Sequence, residues 1–101
     1  MRSNFFILGF LFAGLLTSAQ AQTQIDAAKI TCDQFVHEKV APTRLLAAWL
    51  SGFYNGKRGN SDLDTQNFEA NLNKLQNFCY DEKNFKIPVM QAAERLLDGR
   101  R

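Results

Sequence analysis

The apolar residues of the chain form one uninterrupted run near the start and several periodic stretches after it. Residues 5–16 are an uncharged apolar run of 12 residues that follows a positive charge at Arg2. Farther along, apolar residues recur every three or four positions, the spacing that gathers them on one face of an α-helix. The alternation with a period of two that is typical of strands is weak. The pattern therefore predicts an N-terminal targeting segment followed by an all-α domain.

The N-terminal run has the order of a secretory signal peptide. Thr17 and Ser18 follow the run, and Ala19-Gln20-Ala21 has the A-x-A form of a cleavage site. The run is too short to cross a bilayer comfortably, although an uncleaved N-terminal anchor is the alternative. We expect residues 1–21 to be removed after about Ala21, which places the product outside the cytoplasm with no stable membrane insertion.

The first two predicted helices follow a flexible arm at residues 22–30. Thr31 is the expected N-cap of the first helix, which runs to about Lys39, and Gln34 stands where it completes a capping box. The second helix runs from Pro42 or Thr43 to about Asn55. We expect Gly56 to end it, because glycine readily adopts the conformation that closes a helix.

Two more helices complete the predicted domain, which covers residues 31–98. Asp64 or Thr65 should cap the third helix, which extends to about Cys79. Pro88 suits the first position of a fourth helix, and Gly99 should end it. Residues 99–101 are then a frayed tail. The fold class is a small all-α domain of four helices.

The chain has two cysteines, Cys32 and Cys79. An exported compartment is oxidising, so we expect one disulfide, which links the first helix to the third. Closing this loop would stabilise the domain by about 4 kcal/mol through the entropy of the unfolded chain. The alternative, a two-cysteine metal site, lacks companion ligands, because the single histidine, His37, is the one other candidate. We therefore expect no metal.

The second predicted helix has an unusually wide apolar surface. Two rows with i, i+4, i+8 spacing run along it: Leu45, Trp49 and Phe53, and one position later Leu46, Leu50 and Tyr54. At Gly52 we expect another helix, from the same chain or from a partner, to come close. The rows exceed what a small domain easily covers, so we predict that part of them, with Gly52, forms a protein-binding surface. The alternative is that all six residues are plain core.

Charge is balanced but dense. Removing residues 1–21 from the 101 leaves 80, with 11 of the 12 Lys and Arg residues against 10 Asp and Glu. A net charge of +1 does not favour nucleic-acid binding. Protonation of the carboxylates would leave the 11 cations unopposed. Carboxylates at or near predicted helix N-termini should have lowered pKa values and act as acid sensors. These are Asp33, Asp62, Asp64 and Glu69.

No pattern in the chain indicates catalysis. His37 has no nucleophile at a useful spacing, and the carboxylates form no recognisable acid and base pair. The N-G-K-R-G stretch at residues 55–59 follows a helix and lacks the pattern of a phosphate-binding loop. We expect neither enzymatic activity nor a cofactor.

Two motifs carry a family resemblance. T-C-D-Q-F at residues 31–35 and W-L-S-G-F-Y-N-G at residues 49–56, with the paired cysteines, resemble the HdeA/HdeB family of periplasmic acid-stress proteins. The resemblance extends over about residues 30–97. It implies a small helical fold with one disulfide, often a homodimer at neutral pH. It also implies that strong acid loosens or dissociates the protein, which then binds unfolded periplasmic proteins without ATP.

The resemblance leaves two other functions open. The aromatic and glycine-rich helix is also similar to that of the Rap1a/Tai-type immunity proteins of secretion systems. A protein that binds and inhibits one specific partner is therefore an alternative to the chaperone. A structural envelope protein of the same fold, without acid activation, is a third possibility.

Overall fold

The structure of the protein, a computed structural model, describes residues 24–98, and of Asp98 only the backbone. The expected signal peptide (1–21) and the tail (99–101) lie outside the described residues. The α-helices are α1 (Cys32–Val36), α2 (Thr43–Lys57), α3 (Thr65–Tyr80) and α4 (Val89–Ala93), and α4 continues as a π-helical turn over Glu94–Asp98. Short 3-10 turns lie at Ala27–Lys29 and Glu82–Asn84.

The predicted all-α class is confirmed. Four α-helices are present, and within residues 24–98 the β-structure is limited to an isolated bridge between Thr31 and Pro88. None of the helices in this part of the chain combines the length and hydropathy needed to cross a bilayer. The described domain is therefore helical throughout, with connections that are short or contain a 3-10 turn.

Helix α1 begins as predicted but ends early. The Thr31 hydroxyl accepts from the Gln34 N–H at 3.2 Å, and the Gln34 side chain accepts from the Thr31 N–H at 3.0 Å, which completes the capping box. The helix stops at Val36 instead of about Lys39. Glu38 adopts a positive φ of 53°, and the Lys39 N–H donates back to the Gln34 carbonyl at 3.0 Å. This is the bonding of a Schellman end, formed here around a residue other than glycine.

Helix α2 ends at a different glycine from the one expected. Gly56 lies inside the helix, which continues to Lys57. Gly59 instead has the left-handed φ of 73°, and the Asn60 N–H donates to the Asn55 carbonyl at 2.8 Å. The prediction that Gly56 stops the helix is therefore wrong, since the residue that must adopt positive φ stands two positions beyond the last helical residue.

Helices α3 and α4 have the predicted caps with one shift. The Asp64 carboxylate accepts from the Asn67 N–H at 3.0 Å and caps α3. Pro88 is the N-cap of α4 and not its first residue. Proline has no backbone N–H to donate, so the next residue provides the bond to the chain before α1: the Val89 N–H donates to the Ile30 carbonyl at 2.8 Å.

The core lies around the disulfide. Cys32 and Cys79 are bonded, with their Cα atoms 4.8 Å apart, and both are fully buried. The bond joins α1 to α3, as predicted. Phe35, Leu75 and Val89 are the largest other side chains that are buried completely. Side chains from α1, α3 and α4 thus meet at the disulfide, and α2 covers this core from one side.

Candidate functional site

The two apolar rows of α2 have different environments. Leu46, Leu50 and Tyr54, here called the inner face, are buried against the core. Leu45, Trp49 and Phe53, here called the ridge, are 60%, 48% and 36% exposed. The sequence presents the rows as one wide surface, and the structure divides them into a core face and an exposed face. The alternative that all six residues are plain core is therefore wrong, and protein binding by the exposed row stays a prediction.

The ridge is an ordered aromatic surface. The rings of Trp49 and Phe53 are stacked, with centroids 5.0 Å apart and planes 13° from parallel. The Lys57 ammonium lies 5.3 Å from the Phe53 centroid and 5.7 Å from that of Tyr54, within the range of a cation–π interaction. The ridge therefore presents flat apolar rings and ends in a positive charge at the C-terminal end of α2.

A groove runs beside the ridge. Ala48, Gly52 and Gly56, which are spaced by four residues, form its floor, and Leu63 and Phe68 line the opposite wall. Its volume is about 760 Å3, and Leu63 is 69% exposed. A Cβ atom at Gly52 or Gly56 would meet nothing within 4 Å. The expectation that a helix of the same chain approaches Gly52 is therefore wrong for the described residues, and approach by a partner stays a prediction.

Asp33 is held by two neighbouring side chains. Its carboxylate accepts from Lys39 Nζ at 2.9 Å and lies 2.9 Å from His37 Nδ1. The hydrogen bond from Lys39, and after it the one from His37, lowers the pKa of Asp33 below its ordinary value of 3.8. The His37 ring packs edge-on against Tyr80 and Phe85, at 5.9 and 5.5 Å between centroids.

Glu69 is held by an arginine from another helix. Arg44 Nη1 and Nη2 donate to the two Glu69 carboxylate oxygens at 2.9 and 3.0 Å, a bidentate geometry that joins α2 to α3. This pair lowers the pKa of Glu69 below its ordinary value of 4.5. Lowered pKa values were expected from helix N-termini, but in Asp33 and Glu69 the cause is a cationic partner.

The other two predicted sensors lie at or just before the start of α3. Asp64 is the cap of α3, as described above. Asp62 lies in the loop before α3, where its backbone N–H donates to the Asn60 side chain at 3.0 Å. The structure does not bring the four carboxylates together, and their role as acid sensors stays a prediction. Within the described residues, no group of three or more His, Cys, Asp or Glu side chains could hold a metal ion.

Sequence reasoning missed Arg44 and Thr43. The Thr43 hydroxyl is buried and donates to the Phe35 carbonyl at 2.7 Å, and its N–H donates to the Glu38 carboxylate at 2.9 Å. Arg44 binds Glu69 across 25 positions of sequence and stacks over the Phe68 ring at 5.7 Å. Arg44 could not be found from the sequence, because no local signal indicates a pair that is so distant along the chain. Thr43 could have been found, because a threonine at the start of a helix is a common capping signal.

Comparison with known proteins identifies a family. The family model of the HdeA/HdeB family matches residues 5–88, from the N-terminal apolar run through α1, α2 and α3 to the N-cap of α4. No curated protein matches the chain significantly, and neither does a solved structure. The family match covers most of the chain, including both cysteines and the whole of α2. The chain therefore belongs to the HdeA/HdeB family.

Proposed function

We propose that the protein is a periplasmic acid-stress chaperone, an ATP-independent holdase that binds unfolded proteins at low pH and prevents their aggregation. Family membership fits this function. The observation that carries the proposal is the ridge, in which Leu45, Trp49 and Phe53 leave a stacked aromatic surface exposed on a chain of 101 residues. Neighbouring exposed apolar side chains of this kind are typical of protein interaction sites.

At neutral pH the ridge is covered by a second copy of the chain. A homodimer is the commonest assembly of soluble proteins, and its two-fold symmetry brings the same surface of both copies together. The groove beside the ridge has the small residues Ala48, Gly52 and Gly56 along its floor, with open space above them. A helix of the partner can approach closely there, which agrees with the role predicted for Gly52.

Acid changes the charge of this assembly. Since the pKa values of Asp33 and Glu69 are lowered in the folded protein, their ion pairs stabilise it at pH values above about 4. That stabilisation is lost as the pH falls through the folded pKa values. The 11 Lys and Arg residues after position 21 then repel one another without opposing carboxylates. Loosening offers the apolar residues of α2 to clients, and the positive charge keeps the complexes soluble.

The proposal places the protein in the periplasm, after export and removal of residues 1–21. It assigns the protein no enzymatic activity and no cofactor. Cys32 and Cys79 have no free thiol, because they form the disulfide. On this proposal the protein acts by binding, and its partners are unfolded periplasmic proteins.

Suppression of aggregation in acid tests the proposed function. The mature, disulfide-bonded protein is added to an unrelated denatured protein at about pH 2 to 3 and at pH 7, a range that spans carboxylate titration. We expect light scattering to fall only at low pH. Trp49→Ala should weaken the effect, whereas Tyr80→Ala, at a residue that is 51% exposed and lies outside α2, serves as the matched control. No protection at low pH would contradict the chaperone function.

A specific binding protein of the immunity type is the second candidate. The observation that favours it is that the ridge is already exposed in the folded monomer, without acid. Affinity purification at neutral pH separates the two functions: one tight partner that is lost in Trp49→Ala supports the specific binder. A structural envelope protein would instead keep its shape and its dimeric state unchanged to about pH 2, within the range where carboxylates are protonated.

A further inference from the structure

Helix α2 is apolar on both of its sides. Its inner face packs on the core, and the exposed positions between its two ends also lack polar side chains: they are Leu45, Ala48, Trp49, Gly52, Phe53 and Gly56. Ser51 and Asn55 are half-buried. The outer side of a helix in a globular domain normally has polar or charged residues. The outer side of α2 therefore has the composition of a surface that contacts something apolar.

The ridge and a lysine form one row along this outer side. Lys57 follows Phe53 at the same spacing that links Leu45, Trp49 and Phe53, so the four side chains lie on successive turns of α2. At 1.5 Å per residue, the row is about 18 Å long. The Lys57 ammonium lies over the Phe53 ring. The row is therefore an apolar strip with a cation at one end.

The charges on and beside α2 favour an anionic partner. Its 15 residues include Arg44 and Lys57 and no Asp or Glu. Arg44 is paired with Glu69, whereas no carboxylate among residues 24–98 lies within ion-pair distance of Lys57. The groove beside the ridge is lined by Glu69 and Asp62, and Arg44 offsets the charge of the first. The positive charge at the end of the row can thus pair with a negative group of the partner.

A phospholipid surface combines the two properties that this row requires. Anionic headgroups attract lysine, and the boundary between headgroups and acyl chains takes up apolar and aromatic side chains. Tryptophan is concentrated at this boundary in membrane proteins, because its ring is largely apolar and its N–H finds a polar partner there. A lysine can keep its ammonium among the headgroups while its methylene groups lie along apolar side chains.

We propose that the outer side of α2 docks the folded protein on a lipid surface with anionic headgroups. The ridge enters the boundary between headgroups and acyl chains, and Lys57 binds a headgroup phosphate. The helix lies along the surface without crossing the bilayer, because its inner face stays on the core. This inference goes beyond the proposed chaperone function, since it needs neither acid nor opening of the domain.

A second copy of the chain competes for the same side of α2. The copy proposed above would cover the ridge, but its own α2 has no carboxylate to offer to Lys57. An anionic lipid surface offers a negative charge as well as an apolar layer. Single copies therefore bind lipid, and the binding is strongest at protein concentrations too low for the dimer.

The fluorescence of Trp49 tests the docking directly, because this residue of the ridge is the one tryptophan in the sequence. The disulfide-bonded chain of residues 22–101 is diluted at pH 7 until sedimentation shows single copies. Vesicles of phosphatidylglycerol or of phosphatidylcholine are then added. With the anionic vesicles we expect the emission to shift to shorter wavelength and to be quenched by brominated acyl chains. Binding to phosphatidylcholine should be weaker by about fivefold, the effect of one lysine near an anionic surface.

Three results of this titration would overturn the inference. The first is an unchanged emission when single copies meet anionic vesicles. The second is binding to vesicles without quenching of Trp49, which would show that another surface docks. The third is a dimer that persists on dilution and excludes vesicles, which would assign the outer side of α2 to the second copy.

Lys57→Gln tests the role of the cation at the end of the row. We expect its binding to phosphatidylglycerol vesicles to be weaker by about fivefold. Lys83→Gln is the matched control, because it has the same net charge and Lys83 lies in the turn Glu82–Asn84, which packs against α1 and α3. This control should bind like the unmodified protein. Equal losses in the two variants would show that net charge governs binding, which would contradict docking through α2.

Phe53→Ala tests the apolar part of the row and leaves Trp49 in place as the probe. We expect binding to fall by about tenfold, as for keeping most of one phenylalanine side chain out of an apolar layer. Tyr80→Ala removes an exposed aromatic ring outside α2 and should leave binding unchanged. Circular dichroism establishes that both variants are folded. Unchanged binding of folded Phe53→Ala would count against the ridge as the docking surface.

The vesicle titration and the aggregation assay test separate claims. If the protein docks on vesicles and clients still aggregate in acid, the chaperone function is contradicted and the docking stands. If clients are protected by a protein that does not bind vesicles, the function stands and the docking is contradicted.

Discussion

The two sides of this small domain are held together by different kinds of bonds. Around Cys32 and Cys79, α1, α3 and the start of α4 share a covalent bond, backbone hydrogen bonds and fully buried side chains. Helix α2 is held by apolar packing of its inner face, by side-chain hydrogen bonds, and by the ion pair of Arg44 with Glu69. Each side contains a carboxylate that is paired with a cation, Asp33 with Lys39 on the first and Glu69 with Arg44 on the second, but the first side also has a covalent cross-link.

This contrast shows how one chain can be both stable and responsive. A domain of this size has a small margin of stability, about 5 kcal/mol or somewhat more. Placing the covalent bond on one side leaves the other side free to carry an exposed aromatic surface. Three sets of substitutions measure the contrast, and they are described in order of decreasing effect.

Loss of the disulfide should have the largest effect. Cys32→Ser combined with Cys79→Ser removes the cross-link between α1 and α3, and we expect a loss of about 2 to 5 kcal/mol, comparable with the whole stability of such a domain. Urea unfolding followed by circular dichroism measures it. If the double variant keeps its stability at neutral pH, the disulfide is not what holds α1 to α3, and the two sides of the domain do not differ in the way described.

Leu50→Ala and Trp49→Ala should separate the two rows of α2. Leu50 is buried, and its truncation should cost about 2 to 5 kcal/mol. Trp49 is 48% exposed, so its truncation should cost about 1 kcal/mol or less. The second variant should instead weaken the proposed homodimer, which sedimentation measures. Similar losses of stability in both variants would show that the ridge is part of the core.

The two glycines near the end of α2 should respond in opposite directions. Gly59 has positive φ, so Gly59→Ala should destabilise the domain by about 1 kcal/mol. Gly56 lies inside the helix, and Gly56→Ala should stabilise it by about 0.5 to 1 kcal/mol, because alanine favours the helix and a Cβ there meets no neighbour. Thermal unfolding of both variants is the measurement. If Gly56→Ala weakens dimerisation as well, the groove is part of the partner contact.

Local patterns predicted most of the fold. The capping box of Thr31 with Gln34, the cap at Asp64 and the pairing of the cysteines follow from signals within a few residues or from counting, and the structure contains all of them. The ends of α1 and α2 were placed wrongly. Glu38 takes a left-handed conformation that glycine usually supplies, and Gly59 rather than Gly56 occupies the corresponding position in α2. A glycine in the sequence shows where such a conformation is easy, not where it is used.

The candidate site was predicted less completely. The sequence identified the residues of the ridge and of the inner face together, but their separation depends on which side of α2 meets the core. The lowered pKa values of Asp33 and Glu69 have the expected direction but a different cause, since Lys39 and Arg44 produce them. Arg44 reaches Glu69 from another helix, which no spacing within one helix could indicate.

The sequence by itself determined the helical class, the four helices, the pair of cysteines and the wide apolar surface of α2, because each depends on composition or on spacing along one element. The tertiary structure decided which row of α2 is buried and which cation binds Asp33 and Glu69. These features arise when separate helices meet. The division of α2 into a ridge and an inner face is therefore a property of the packed domain.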